Sequence, residues 1–551
     1  MRLGLSAYIH HMRLPCGVKM GQGLRQRLIG LDHGEINLVK ELEINFGYLS
    51  NMHPDRIRRQ KSQASRGAVG GTAVLTALAL VMTPVAAQSS LPELGDSSGA
   101  IVTGQQEKKL GQEAMREIRG SGMYLNDPEV NAYLNELGQR ILAANPGIRE
   151  RFEFFAVADP AINAFAMPGG YIGVNMGLVL LTQSESELAG VLSHEMSHVT
   201  QKHYARMVDD QRKNAWMGIA GLAAAVLAAK AGKGDVAQGA LLGSQAAQVQ
   251  NYLNFSRDNE READRIGFQY LSRAQFDPAA MGTFMERLQR SSSLNDTGIV
   301  PGYLRTHPIT NERIADAQDR VGKGEFKLAK ESVDFHYVRA LIRSYIGDAP
   351  AAVKYFESAL TDRKYSSEAA TRYGLAAAVL RERDFARAKR ELATLESAGI
   401  KHPMITAMRG QILIQAEEFG PAVTFFEQAI SDYPNHWQLH YDLPEVLLRA
   451  KLPKRALASL EKSLLRKPND VQLLDLAARA CADAGMKMKQ HRFLGELYAQ
   501  QANLRGALDQ FELASKAGDG DYFEASYVEA RVREMKREIT RASKEKRALF
   551  E

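Results

Sequence analysis

The chain of 551 residues is long enough for two to four domains with full cores. Its formal charge of +6 is confined to one end: residues 1–87 hold 11 Lys/Arg against 5 Asp/Glu, and the remainder is balanced at 59 of each. No basic footprint is left for a nucleic-acid backbone, and the composition excludes a nucleic-acid binder.

In chain order, residues 1–87 read as a leader. "RIRRQKSQASR" (56–66) is a basic segment, "GAVGGTAVLTALALVM" (67–82) a short apolar one, and "TPVAAQ" ends in small residues suited to cleavage after Ala87. The apolar run is shorter than a membrane span requires, so an export signal is expected, with a retained anchor as the alternative. Met52 begins a signal of ordinary length and is the expected translation start. The general secretory route is expected, because the Arg58-Arg59 pair lacks twin-arginine flanks. Of the two cysteines, Cys16 lies in the leader and Cys481 in a helical apolar pattern. No internal disulfide is expected, and Cys481 reads as a core thiol.

A Gly/Pro/Ser-containing linker (88–104) follows. Residues 105–330 mix helices with short strands. "NDPEVNAYLNELGQRILAA" has helical spacing with Asn126 or Asp127 as cap, and "FEFFAVADPAINAFAMPGGYIGVNMGLV" (152–179) reads as two strands around a turn at Pro168–Gly170.

"TQSESELAGVLSHEMSHVTQKHYARM" reads as a strong helix opened by a capping box of Ser184 and Glu187. It holds His194-Glu195-x-x-His198. Histidines at i and i+4 share a face and can grip one Zn²⁺, with Glu195 beside the attacking water. Position 204, where one class of such enzymes has its third histidine, is Tyr204. His203 is one residue off and reads as structural or surface. "NFSRDNEREADRIGFQYL" (254–271) offers a distant carboxylate instead: Glu260 to ligate, with Asp264 four residues on to hydrogen-bond a ligand histidine. Glu262 competes, but lies about 200° round the helix from Glu260.

Between these helices, "AWMGIAGLAAAVLAA" (215–229) and "GALLGSQAAQVQ" (239–250) read as a small-residue helical hairpin. Half-buried core is one reading; peripheral membrane contact through 215–229 is the other. From 334 to 540 the chain reads as continuous helix with a repeat. Ala352, Ala388, Ala422 and Ala456 are spaced 36, 34 and 34 residues apart, and Pro434 and Pro468 are 34 apart. The pattern resembles degenerate tetratricopeptide repeats, whose stacked helices commonly bind protein or peptide. "LRGALDQFELA" (504–514) looks like one more second helix, off phase.

"HEMSH", "SRDNEREAD", "NAFAMPGGYIGV" and "LRTHP" together resemble the zinc peptidase family of the CAAX prenyl protease and the heat-shock protease HtpX. The export signal and C-terminal repeats bring the resemblance nearest to its periplasmic branch that enhances β-barrel assembly. The resemblance implies an α+β, mostly helical fold: a zincin-type metallopeptidase domain, then an α-helical repeat solenoid. It also implies one Zn²⁺ per chain on His194, His198 and Glu260, general base Glu195, and Asp264 supporting a ligand. The segment around Ala164–Gly173 is then an edge strand for substrate, with Asn163, Ala164, Phe165, Ala166, Pro168, Gly169 and Gly170 as substrate-binding residues.

In this chemistry Glu195 takes a proton from water made acidic by zinc, hydroxide attacks the scissile carbonyl, and Glu195 returns the proton to the leaving amine. His307 is the expected catalytic partner, either as an oxyanion donor or as a plug in the open metal position. By resemblance, the substrates are misfolded or misassembled outer-membrane β-barrel proteins, and the repeats recruit clients or the assembly machinery. The rival reading is a periplasmic chaperone or assembly scaffold with minor proteolysis.

Overall fold

The computed structural model describes residues 103–210, 256–293, 302–322, 326 and 328–550. The expected leader, most of the linker and the 215–250 hairpin lie outside them.

Two capped helices open the described chain. Helix α1 (Gly104–Gly120) begins with a reciprocal capping box between Thr103 and Gln106. Helix α2 (Pro128–Ala143) combines Pro at its first turn with Asp127, whose side chain accepts from the Val130 amide at 3.0 Å. Three strands follow rather than the two expected: β1 (Glu153–Val157), β2 (Ala164–Met167) and β3 (Tyr171–Asn175). The sheet order is β1–β3–β2, with β1 parallel and β2 antiparallel to β3.

The expected hairpin is the β2–β3 pair. Gly169 and Gly170 hold φ of 81° and 84° in its turn, a region that residues with a Cβ rarely adopt. A Cβ on Gly170 would also collide with the Arg151 carbonyl. Strand β2 is an edge of the sheet, and among the described residues it pairs only with β3. Tyr171–Gly173, expected in the edge segment, lie in the central strand.

Helices α3 (Met176–Leu181) and α4 (Glu185–Thr200) carry the chain back over the sheet, α4 packing on β2 and β3. Residues 203–210 (α5) and 256–273 (α6) are helical, followed by α7 (Ala279–Ser293), α8 (Gly302–Thr306) and α9 (Asn311–Val321).

The remainder is a helical repeat. Its elements are α10 (Val333–Tyr345), α11 (Ala349–Thr361), α12 (Glu368–Arg381), α13 (Phe385–Ser397), α14 (Pro403–Gln415), α15 (Phe419–Asp432), α16 (Trp437–Arg449), α17 (Pro453–Arg466), α18 (Val471–Asp483), α19 (Lys487–Gln500), α20 (Leu504–Ala517) and α21 (Tyr522–Phe550). The four aligned alanines are all fully buried, where small side chains let paired helices approach. The backbone repeats too. Arg383, Glu417, Lys451 and Gly485, each 34 residues from the next, all take left-handed φ of 61–71° at the turn between paired helices. The same knob recurs where Gly410 receives the Phe426 ring and Gly495 the Phe511 ring. Cys481 is fully buried, as a core thiol should be.

The repeats share packing with the sheet-containing part. One buried cluster runs from Val130 through Leu192 to Ile412. Polar ties cross the same junction: Tyr345 Oη donates to Asp127 at 2.5 Å, and His436 Nε2 meets Glu129 Oε1 at 2.8 Å. No helix of the described residues is long and apolar enough to cross a membrane.

Candidate metal centre

The Ser184 hydroxyl caps α4 by accepting from the Glu187 amide at 3.2 Å. The second half of the expected capping box differs. The Glu187 carboxylate takes the Gln183 amide at 2.7 Å and the Arg287 guanidinium at 2.7 Å, so it ties α4 to α7. Buried side chains line α4 from Leu188 to Ser197, leaving His194 and His198 one turn apart towards α6. Gly267 sets that crossing: a Cβ there would lie 3.1 Å from both N and Cα of His194. The two helices thus approach nearly backbone to backbone, and Glu260 and Asp264 face the histidines.

Four donors converge. His194 Nε2 lies 3.1 Å from His198 Nε2 and 3.3 Å from Glu260 Oε2, and His198 Nε2 lies 3.5 Å from Glu260 Oε1. His307, just past α8, places Nδ1 3.3 Å from His194 Nε2 and 2.9 Å from Glu260 Oε1. A tetrahedral ion with bonds of about 2.0–2.1 Å needs donors about 3.3 Å apart. One ligand atom from each of His194, His198, Glu260 and His307 can be chosen so that all four lie within 4.8 Å of one another, close enough to share such an ion. Glu195 is outside this set. That carboxylate is 1% exposed, and its Oε1 accepts no hydrogen bond, facing His307 Nε2 at 3.4 Å.

Each α4 histidine is braced from behind. His194 Nδ1 lies 3.0 Å from Asp264 Oδ1. His198 Nδ1 meets His203 Nδ1 at 2.8 Å, His203 Nε2 meets Glu262 at 3.2 Å, and Arg206 donates to Glu262 at 2.7 Å. His203 is buried, so its role is structural rather than surface. Glu262, the competing carboxylate, anchors that arm instead of joining the donor set. The predicted substrate residues spread along one segment. Asn163–Ala166 enter and form β2, whereas Pro168–Gly170 form the turn beyond it, Gly169 lying against Glu107 and Lys108 of α1.

The chain matches known proteins. The model of Peptidase family M48 matches residues 128–321. A β-barrel assembly-enhancing protease of Escherichia coli O157:H7 is 31% identical over 425 residues, 76% of this chain and 85% of that protein. The chain belongs to peptidase family M48. A second relative of the same name, from Yersinia pestis, is 29% identical over 82% of this chain and 92% of its own length. Among solved structures, the chain is similar to the TPR protein YrrB (18% identical, TM-score 0.25, covering 32% of this chain and 91% of that one).

Membership in M48 makes the chain a metallopeptidase, and the four-donor cluster is where it can hold its metal. Burial disfavours a charged His194, but the Asp264 and Glu260 carboxylates beside it outweigh that and lift its pKa to about 10. Burial, followed by the neighbouring His194 charge, holds His198 well below its usual value. Metal needs the lone pair of His194 Nε2, so loading must release one proton at any pH below about 10. Apparent metal affinity is therefore expected to rise about tenfold per pH unit between about pH 6 and 8. Competition titrations against a chromophoric chelator at several pH values check this. A flat profile would contradict a protonated His194.

Residues that the sequence did not announce complete the site. Arg313, 5% exposed, donates to Asp264 through Nε at 2.7 Å and Nη2 at 2.8 Å, and its Nη1 lies 3.0 Å from Glu260. Tyr303 stacks on His307 with ring centroids 4.6 Å apart. The only sequence signal for Arg313 was its place six residues after His307, in the first turn of a short helix capped by Thr310.

Proposed function

We propose that this chain is an exported zinc metalloendopeptidase that cleaves misfolded or misassembled outer-membrane β-barrel proteins in the periplasm, with its repeats recruiting clients or the assembly machinery. One observation carries the chemistry: His194, His198 and Glu260 converge closely enough to share one ion, with a buried carboxylate, Glu195, beside them but outside the set. The names of the relatives, β-barrel assembly-enhancing proteases, support the client class. Balanced charge after the leader supports the absence of a nucleic-acid role.

In this reading His194, His198 and Glu260 hold the metal, and Asp264 fixes the tautomer and aim of His194. Zinc at this position would supply Lewis acidity, making water nucleophilic near neutral pH and stabilising charge on a carbonyl oxygen. Glu195 accepts the proton of the attacking water and passes it to the leaving amine. An extended client adds to the unpaired edge of β2, its main chain pairing with Ala164–Met167. This pairing selects unfolded segments, because a folded barrel has no unpaired strand to offer.

His307 favours a second element, latency. Its Nδ1 lies against His194 and Glu260 and its Nε2 faces Glu195, in the space that water and substrate would share. The resting enzyme is then plugged and acts mainly as a client-binding scaffold until His307 withdraws. His307→Ala is expected to raise kcat/KM several-fold on an unfolded outer-membrane β-barrel protein, measured by fragment release on gels. Slower cleavage would make His307 an oxyanion donor instead, and an unchanged rate would remove it from both roles.

A further inference from the structure

We propose that Arg313 is a positioning residue for the metal centre: its guanidinium holds Glu260 and Asp264 in ligating register and locks the His307 segment to the same two carboxylates. The inference rests on the metal-site reading above and assigns a role to a residue outside the donor set.

Three observations place it. The fork geometry is complete on Asp264, with Nε at 2.7 Å from Oδ2 and Nη2 at 2.8 Å from Oδ1. A bidentate pair of this kind fixes the plane of the carboxylate as well as its position. Asp264 Oδ1 also lies 3.0 Å from His194 Nδ1, so the plane of Asp264 determines what the back of the His194 ring rests against. The remaining nitrogen, Nη1, lies 3.0 Å from Glu260 Oε2 and donates to the Pro308 carbonyl at 2.7 Å. One rigid group therefore touches a ligand carboxylate, the carboxylate behind a ligand histidine, and the main chain next to His307. Its own backbone is set by Thr310, whose hydroxyl accepts the Arg313 amide at 3.2 Å.

The opposite end of the His307 segment is tied as well. The Tyr303 amide donates to the Ile162 carbonyl at 3.1 Å, immediately before β2. The segment from 303 to 308 is thus held by the entry to the edge strand on one side and by Arg313 on the other.

A simpler role is counter-charge. Glu260 and Asp264 are both buried, and a divalent ion together with Arg313 would balance them and Glu195. The two roles predict opposite signs. A guanidinium that only compensates charge repels the cation, so its loss would tighten zinc binding. One that aligns the ligands raises affinity, and loss of such outer partners typically costs 10–100-fold.

The test is the zinc affinity of the full chain, by competition with a chromophoric chelator, for wild type, Arg313→Met and Arg313→Lys. Arg313→Met is expected to bind zinc about 10–100-fold more weakly. Arg313→Lys, which keeps the charge but not the fork, is expected to fall between. Unchanged or tighter binding in Arg313→Met overturns the inference. Repeating the pair in a His307→Ala background isolates the route: the loss should persist, and its disappearance would show that Arg313 acts only through the plug. Melting in excess chelator reports whether Arg313→Met folds without metal. If it does not, Arg313→Lys decides, and wild-type affinity in that variant overturns the inference. A wild-type chain that takes up no zinc overturns the metal site itself, whereas normal wild-type binding with unaltered variants removes only Arg313.

Discussion

Glu195→Gln is expected to lower peptide-bond cleavage by about 10²–10⁴-fold while bound zinc stays at the wild-type level. At about 1.4 kcal/mol per tenfold, that is roughly 3–5 kcal/mol of barrier. The substitution conserves shape in a site where the side chain is 1% exposed, so it leaves packing intact. Glu195 contributes none of the four converging donors, so the metal has no reason to leave. What disappears is the ability to take a proton: a carboxylate accepts one from water and returns it to the leaving amine, and an amide does neither. Initial rates on an unfolded client, with metal content measured on the same samples, check the prediction. Equal rates would take Glu195 out of the chemistry.

Glu260→Ala acts on the other half of the site and is expected to empty it. Removing this carboxylate deletes the donor that lies 3.3 Å from His194 and 3.5 Å from His198. It also leaves the Arg313 cation facing Asp264 alone, close to where the metal would sit. Both effects weaken cation binding, so the loss should exceed the roughly 100-fold upper range for an outer partner. Metal content after dialysis should drop from one per chain to near zero. The thermal shift that zinc gives the wild type should vanish with it; that shift corresponds to about 2.7 kcal/mol when free metal is 100 times its dissociation constant. Full retention of zinc would mean that His307 or another group supplies the third bond.

The periodic parts of this protein were legible in its sequence because regular helices convert spacing into geometry. His194 with His198, and Glu260 with Asp264, are each four residues apart, and the folded chain turns each pair towards the other. The 34-residue repeat was visible in four alanines and recurs in the buried alanines and in the left-handed turns. Tertiary detail was not legible. Arg313 sits among Asn311, Glu312, Ala315 and Asp316 in a short charged helix, which reads as a surface until α9 is laid against α6. His203 was measured against the wrong target: one residue out of step for the metal, it is in step for Nδ1 of His198.

The sheet was under-counted for a different reason. "FEFFAV" and "NAFAM" are both largely apolar, and the Asp159–Pro160 turn signal between them, which separates β1 from the hairpin, was not read as a strand boundary. A boundary near 330–334 was expected from the change to continuous helix. The packing runs through it, because α10 contacts α2 and α3 and the buried cluster continues into the repeats.

The most direct test of the account is reversible metal dependence of client cleavage by the full chain. Wild-type protein would be stripped with a chelator, divided, and returned to buffer with or without one equivalent of zinc. Fragment release from an unfolded outer-membrane β-barrel protein would then be followed in both, with His307→Ala treated in parallel. No fragments are expected from the stripped proteins, with recovery on adding zinc and faster recovery in His307→Ala. Cleavage that persists in the stripped protein, or zinc-loaded wild type and His307→Ala that both leave the client intact, would contradict the account.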